Sequence, residues 1–406
     1  MRIRTITSFY DPTRPDAEKV LDRLAGMTAS ASKRYENSGY EVQTTRLATV
    51  PFPYLAPSLE PNELAQVIQS LETQSAERGF AYISFGPALP EIPESYQRIP
   101  DLIAITENAF FSGIIAHPRT GVEMAAVRAC GDIIARAAKI SPDGFSNLRF
   151  TALANVPPMG PFFPAAYHDR GEPAFALAIE SADLALDAFS GANSLDNART
   201  RLLQSIESHA RVLETVSEEI AASYGLRFVG MDFSLAPFPQ DWCSLGGAIE
   251  ELGIERIGLQ GSLAAAAFVA DTLDRGRWLK TGFNGLMLPV LEDSILARRT
   301  IEGTLTVKDL LLYSTVCGTG LDTVPLPGDA SAEEISALLA DIAALSIRLD
   351  KPLTGRLMPV PGKKAGDMTE FDFDFFVNGR ILDLPARTMK GLLARERAFD
   401  LKARHS

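Results

Sequence analysis

Four stretches between Met159 and Asp367 hold the side chains whose types and spacing could do chemistry. In the first, a Pro-rich run ends in Tyr167-His168, and Glu180 closes the strand-like run that follows. A histidine and a carboxylate on one sheet edge make a proton shuttle or two ligands for a divalent metal. The plain alternative is a hydrogen-bonded loop histidine beside a carboxylate near a helix start. In the second stretch, Asp232 sits at the end of a strand-like run, the edge where α/β proteins gather ligand contacts. It joins His168 and Glu180 as an acid/base or metal candidate, or else it simply opens an Asx-turn. Ser234, in the same stretch, is a substrate-binding candidate. Downstream, Gly261 and Ser262 open a helix whose free N–H groups suit an anion, although close packing explains such glycines equally well.

The third stretch runs Cys317-Gly318-Thr319-Gly320-Leu321-Asp322. A cysteine at a helix end, followed by Gly-x-Gly, lies in a tight loop whose amides could lower a thiol pKa and hold an oxyanion. Cys317 is therefore the nucleophile candidate, with Asp322 as an acid/base partner and Gly318 as part of the cradle. Against this, no histidine is nearby in sequence, and buried free cysteines are commonly inert packing residues. In the fourth stretch a Pro-Gly turn presents Lys363 and Asp367, a way to set a cation against an acidic substrate or merely a solvated turn.

Such loops need a scaffold, and short β-branched runs alternating with helical periodicity predict strands and crossover helices in a mainly parallel sheet. Strands are expected over 2–9, 41–48, 80–85, 148–154, 174–179, 227–233, 256–259, 284–290, 356–360 and 371–376. Roughly ten strands suit a large barrel or a wide open sheet. Helices are expected over 16–37, 60–77, 121–139, 198–224, 332–349 and 384–404. The chain reads as one large domain over 1–406, with 51–100 as a Pro-rich surface or lid region.

Composition narrows the function. With 39 basic and 51 acidic residues, a net charge of −12 and no basic block, nucleic acid is not an expected partner. The mean hydropathy is +0.04, and the longest low-polarity run, 262–270, is about half a membrane span. The basic first residues lead straight into a strand rather than a signal peptide, so a cytoplasmic location without membrane attachment is expected. Three scattered cysteines indicate no disulfide framework; Cys130 and Cys243 read as structural. No GxGxxG follows a strand, so no nucleotide cofactor is expected.

The segments FFPAAYH, GMDFSLAPFP, SLGGAIEELG, VCGTGLDTVPLPGD and RLMPVPGKKAGD, in that order, resemble those of the domain-of-unknown-function 711 family. The resemblance implies a ten-stranded α/β barrel related to the pyruvate formate-lyase-like barrels, with the Cys317 loop as a finger reaching the barrel centre. The radical-glycine motif of such enzymes has no match: the nearest segment, Asn378-Gly379-Arg380, differs, so a glycyl-radical mechanism is not expected. What remains is an enzyme for a small anionic metabolite, a lyase, isomerase or hydrolase using acid/base, metal-assisted or cysteine chemistry. The alternative is a metabolite-binding protein without catalysis. Homo-oligomerisation is compatible with a fold of this size.

Overall fold

The computed structural model describes residues 1–58 and 60–404. Its strands are β1 (Arg2–Tyr10), β2 (Thr45–Thr49), β3 (Tyr82–Ala88), β4 (Ala109–His117), β5 (Gly121–Val122), β6 (Phe150–Ala154), β7 (Ala174–Glu180), β8 (Arg227–Ala236), β9 (Gly320–Pro327) and β10 (Leu353–Val360). The helices are α1 (Ala17–Asn37), α2 (Pro61–Glu77), α3 (Glu94–Ala104), α4 (Met124–Ala137), α5 (Ala182–Ser190), α6 (Leu195–Tyr224), α7 (Leu245–Glu251), α8 (Ser262–Arg275), α9 (Ser294–Glu302), α10 (Val307–Tyr313), α11 (Ala332–Leu349) and α12 (Leu392–Arg395). None of the described helices is long and apolar enough to cross a membrane.

All the strands join one ten-stranded mixed sheet in the order β8-β7-β1-β2-β3-β4-β6-β10-β9, with β5 paired to β4. The central strands β1, β2, β3, β4 and β6 are mutually parallel. Flanking them, the parallel pair β7 and β8 and the parallel pair β9 and β10 both run the opposite way. Among the described residues no ladder joins the edge strands β8 and β9. Residues 279–290 lie between them instead. Met231 N–H donates to Leu279 O (2.8 Å), Met287 N–H to Ser234 O (2.9 Å) and Val290 N–H to Asp322 O (3.1 Å).

Strand alternation sorts the two faces. Ile6 and Ile83 belong to the large core cluster that also holds helix residues such as Leu24 and Ile68, all fully buried. Each such side chain contributes about 1.5–3 kcal/mol on burial. Their neighbours Thr7 and Ser84 face the other way, where polar groups need partners. Thr7 Oγ1 donates to Pro161 O (2.8 Å) and Ser84 Oγ to Ala166 O (2.7 Å), so the strands supply donors to a loop with little ladder of its own. That loop, residues 155–168, is fixed further by His168 N–H donating to Thr49 O (2.9 Å).

Several expected elements differ. The stretch 384–404 is not a long helix but extended chain with the short α12, and Val122 and Phe399 exchange backbone hydrogen bonds there. Residues 256–259, 284–290 and 371–376 form no strand. Conversely, β4 (AFFSGIIAH) is buried on both faces along almost its whole length, so it shows no polar–apolar alternation to read. β9 contains Pro325 and Pro327, residues that signal a loop but are tolerated on an edge strand. Residues 51–100 hold α2, β3 and part of α3, with Phe52, Ile68, Phe85 and Ile99 fully buried. Pro61 accounts for part of the proline signal there: it starts α2, where its missing N–H costs nothing.

Candidate functional site

A cavity of about 470 Å³ lies at the N-terminal ends of the central strands. Arg4, Arg46, Tyr82, Phe110 and Thr151, each among the first three residues of its strand, project into it, and Asp322 and Arg356 face them from β9 and β10. The usual ligand edge of a parallel sheet is the other one, the C-terminal ends.

One wall is a chain of alternating charges. Arg4 pairs with Glu180 (3.3 Å) and Glu292 (2.7 Å), Arg356 pairs with Glu292 (2.9 Å), and Arg356 Nε closes on Asp322. Gln43 Nε2 adds a bond to Glu180 (2.7 Å). Burial works against the Arg356 cation, but Asp322 and Glu292 outweigh it and hold its pKa above the ordinary value. Burial raises the Glu180 pKa, opposed by Arg4 and Gln43. Both guanidiniums of this wall are engaged by its three carboxylates, which leaves the wall with one formal negative charge in excess.

Arg46 is different. No carboxylate oxygen lies within ion-pair distance among the described residues, and its one side-chain hydrogen bond runs from Nε to Thr44 Oγ1 (3.0 Å). Its guanidinium lies 5.2 Å from the Phe163 ring centre and 5.5 Å from that of Tyr82, a stacking that leaves the in-plane Nη groups free. The side chain is half-buried although it sits deep in the protein: the surface it exposes belongs to the cavity. Burial, then the nearby Arg4, push its pKa down to about 9, with Tyr82 and the Glu292 carboxylate opposing them. The guanidinium stays charged at neutral pH, and among the described residues Glu292 acts on it only from beyond ion-pair distance.

Of the residues singled out from sequence, Asp322 alone lines the cavity. Asp232 is fully buried and occupied: it accepts from Ser234 Oγ (2.5 Å), Phe283 N–H (2.7 Å) and Asn284 N–H (3.0 Å). Burial raises its pKa to about 6 against those bonds. Ser234 also accepts from Gly285 N–H (3.2 Å), so the pair pins residues 283–285 to β8. His168 is buried and bonded to Glu172 O (3.3 Å), with Nδ1 unpartnered, and burial lowers its pKa. It lies beside Thr49, the partner of Tyr10, whereas Glu180 pairs with Arg2. Those two ends of β1 are eight residue steps apart, roughly 26 Å. His168, Glu180 and Asp232 therefore do not meet at one metal.

Cys317 is buried in the core cluster rather than on the cavity wall, and its sulfur lies 3.8 Å from Thr319 Oγ1, which does line the cavity. Lys351 Nζ holds this turn by donating to Thr315 O (2.8 Å) and Cys317 O (2.6 Å). Gly318 packs on Gly285, where a side chain on Gly285 would collide with its backbone. Gly261 and Ser262 start α8 outside the cavity, and Ser262 Oγ is spent on Leu259 O (2.7 Å) and Gly258 N–H (3.1 Å). Lys363 pairs with Glu370 (2.9 Å) and Asp367 caps Lys364 N–H (2.7 Å) in an exposed turn. Arg4, Arg46 and Glu292 were not singled out. For the two arginines the signal was a basic residue inside a strand-like run, as in RIRTIT and TTRLATV, where a buried cation demands a partner; Glu292, outside any strand, carries no such signal.

Fold and cavity together define a mixed α/β protein with an arginine- and phenylalanine-lined cavity at one end of its sheet. The family model described as Uncharacterised ACR (DUF711) matches residues 1–376, and the chain belongs to that family. It is similar to a UPF0210 protein of Methanosarcina acetivorans, 29% identical over 404 residues, covering 91% of this chain and 85% of the relative. A UPF0210 protein of Pyrobaculum islandicum is 31% identical over 391 residues (90% and 80%). One of Desulforudis audaxviator is 31% identical over 408 residues (91% and 88%).

Proposed function

We propose that the cavity binds a small anionic metabolite through Arg46 and that the protein is a non-redox enzyme acting on it by acid/base chemistry. The observation that carries this reading is the guanidinium without a carboxylate in a cavity of ligand size. Asp322 and Glu292, with Glu107 at an exposed position, are the carboxylates that line the same space, where they could exchange protons with a bound molecule. Cys317, one side chain behind the wall, reaches a ligand only if Thr319 moves. On this reading residues 279–290 act as an irregular stave between β8 and β9, closing the sheet into a barrel of the pyruvate formate-lyase-like type.

A second reading, binding without turnover, draws on the ion pairs that already engage both carboxylates. Calorimetry on wild type and Arg46→Met with acetate, benzoate and inorganic phosphate tests the binding claim. Arg46→Met is expected to lose about 100-fold in affinity for whichever anion binds. Equal affinity in the two proteins would sink the reading. Turnover of a bound acid that drops in Asp322→Asn while affinity holds supports the enzyme; binding with no turnover supports the second reading.

A further inference from the structure

Resting on that reading of Arg46, we infer that the ligand is a monoanion with a flat aromatic body, its charged group on Arg46 and its body between two clusters of rings. The first cluster surrounds the guanidinium. Phe110 meets Tyr82 edge-on at 5.4 Å and Phe163 at 5.4 Å, and Arg46 lies against the latter two. The second cluster closes another part of the same cavity: Phe145 meets Phe373 at 5.0 Å, and Phe373 meets Phe375 at 5.4 Å.

The segment carrying Phe373 and Phe375 reads Phe-Asp-Phe-Asp-Phe-Phe, and its alternation turns these rings to the cavity and leaves Asp372 and Asp374 exposed. Both ends are tied. Asn378 Oδ1 accepts from Thr369 Oγ1 (2.8 Å) and Phe371 N–H (2.8 Å), and Thr369 N–H donates to Gly379 O (2.9 Å). An exposed strand would have no use for such a row of rings. Here they offer edge and face contacts to a planar ligand.

The charge of the ligand follows from what is left unpaired. Arg4 and Arg356 are engaged by Glu180, Glu292 and Asp322. Arg149 is spent on the carbonyls of Ile103 (2.7 Å) and Thr106 (2.7 Å) at the end of α3. Among the described residues that line the cavity, Arg46 is the remaining cation. A second anionic group would meet Glu292 or Asp322 with no cation free for it, so the site selects one negative charge rather than two.

Calorimetry with benzoate and indole-3-carboxylate against acetate, succinate and inorganic phosphate tests this. The aromatic acids are expected to bind at least tenfold tighter than the other three, and in Arg46→Met to lose about 100-fold. Phe373→Ala, at a half-buried position outside the main core, should weaken indole-3-carboxylate about tenfold and leave acetate unchanged; Phe373→Leu, which keeps the apolar volume, should recover part of the loss. Succinate or phosphate binding as tightly as the aromatic acids, still dependent on Arg46, overturns the aromatic monoanion and leaves the anion site standing. No binding by any probe, or binding indifferent to Arg46→Met, overturns both.

Discussion

Asp232 and Arg46 are charged side chains deep in one sheet, and their surroundings are opposite. Around Asp232 every approach is taken: one hydroxyl and two amides satisfy the carboxylate, and a side chain at Gly282 would strike it. Around Arg46 two rings, one hydroxyl and an open cavity leave the charge with no carboxylate in direct contact among the described residues. A buried charge that the protein itself satisfies is a fastening. One that it leaves unsatisfied, facing a space of ligand size, is a binding group, because desolvating a cation is costly unless something completes its shell.

The largest separation of the two roles should come from removing each charge. Asp232→Ala strands the amides of Phe283 and Asn284, at about 1–3 kcal/mol for each unsatisfied donor, so a loss of about 2–6 kcal/mol is expected in urea unfolding. Arg46→Met should leave stability unchanged or improve it, since it removes a desolvated cation and keeps the apolar stem volume. If Arg46→Met proves as destabilising as Asp232→Ala, Arg46 is also a fastening and the contrast fails.

What could be read from sequence divides along the same line. The helices with one apolar face, α1, α2, α6 and α11, are legible because periodicity records burial directly. Asp232 was legible as a strand-end carboxylate but not as a fastening, since its partners Phe283 and Asn284 lie about fifty residues on, in chain without regular structure. The cavity was harder still. Arg4, Arg46, Glu292 and Arg356 come together only through the pairing of β1 with β2 and the antiparallel return of β9 and β10, and no local spacing encodes that. The alternation in 371–376 did signal two unlike faces; what it could not say is that the apolar one covers a cavity instead of joining the sheet.

The pH dependence offers a sharper and slightly smaller test of the fastening. Burial raises the Asp232 pKa from an ordinary carboxylate value to about 6, so the folded state holds this proton more tightly than the unfolded chain. The favourable contribution is full below about pH 4 and is lost as pH rises through about 6. The stability of wild type relative to Asp232→Asn should fall across that window by about 3 kcal/mol at most. A difference that stays flat from pH 4 to pH 7 would mean the carboxylate is better solvated than its closed surroundings imply. Anion binding at Arg46 should not follow this titration.

The smallest effect expected is at Cys317, and it decides whether the wall between core and cavity is real. The thiol packs in the core, with Thr319 between it and the cavity and Lys351 fixing the turn. Cys317→Ala removes one buried sulfur, a change of about 1 kcal/mol, and should leave affinity for an anion at Arg46 within twofold of wild type. The folded wild-type protein should also react slowly with a thiol reagent such as dithionitrobenzoate, as expected of a thiol out of reach of solvent. Rapid modification of Cys317 that a bound anion blocks would show the opposite, that Thr319 gives way and the thiol enters the cavity. Cysteine chemistry would then replace Asp322 and Glu292 as the reactive part of the site, while Arg46 would keep its place as the anchor.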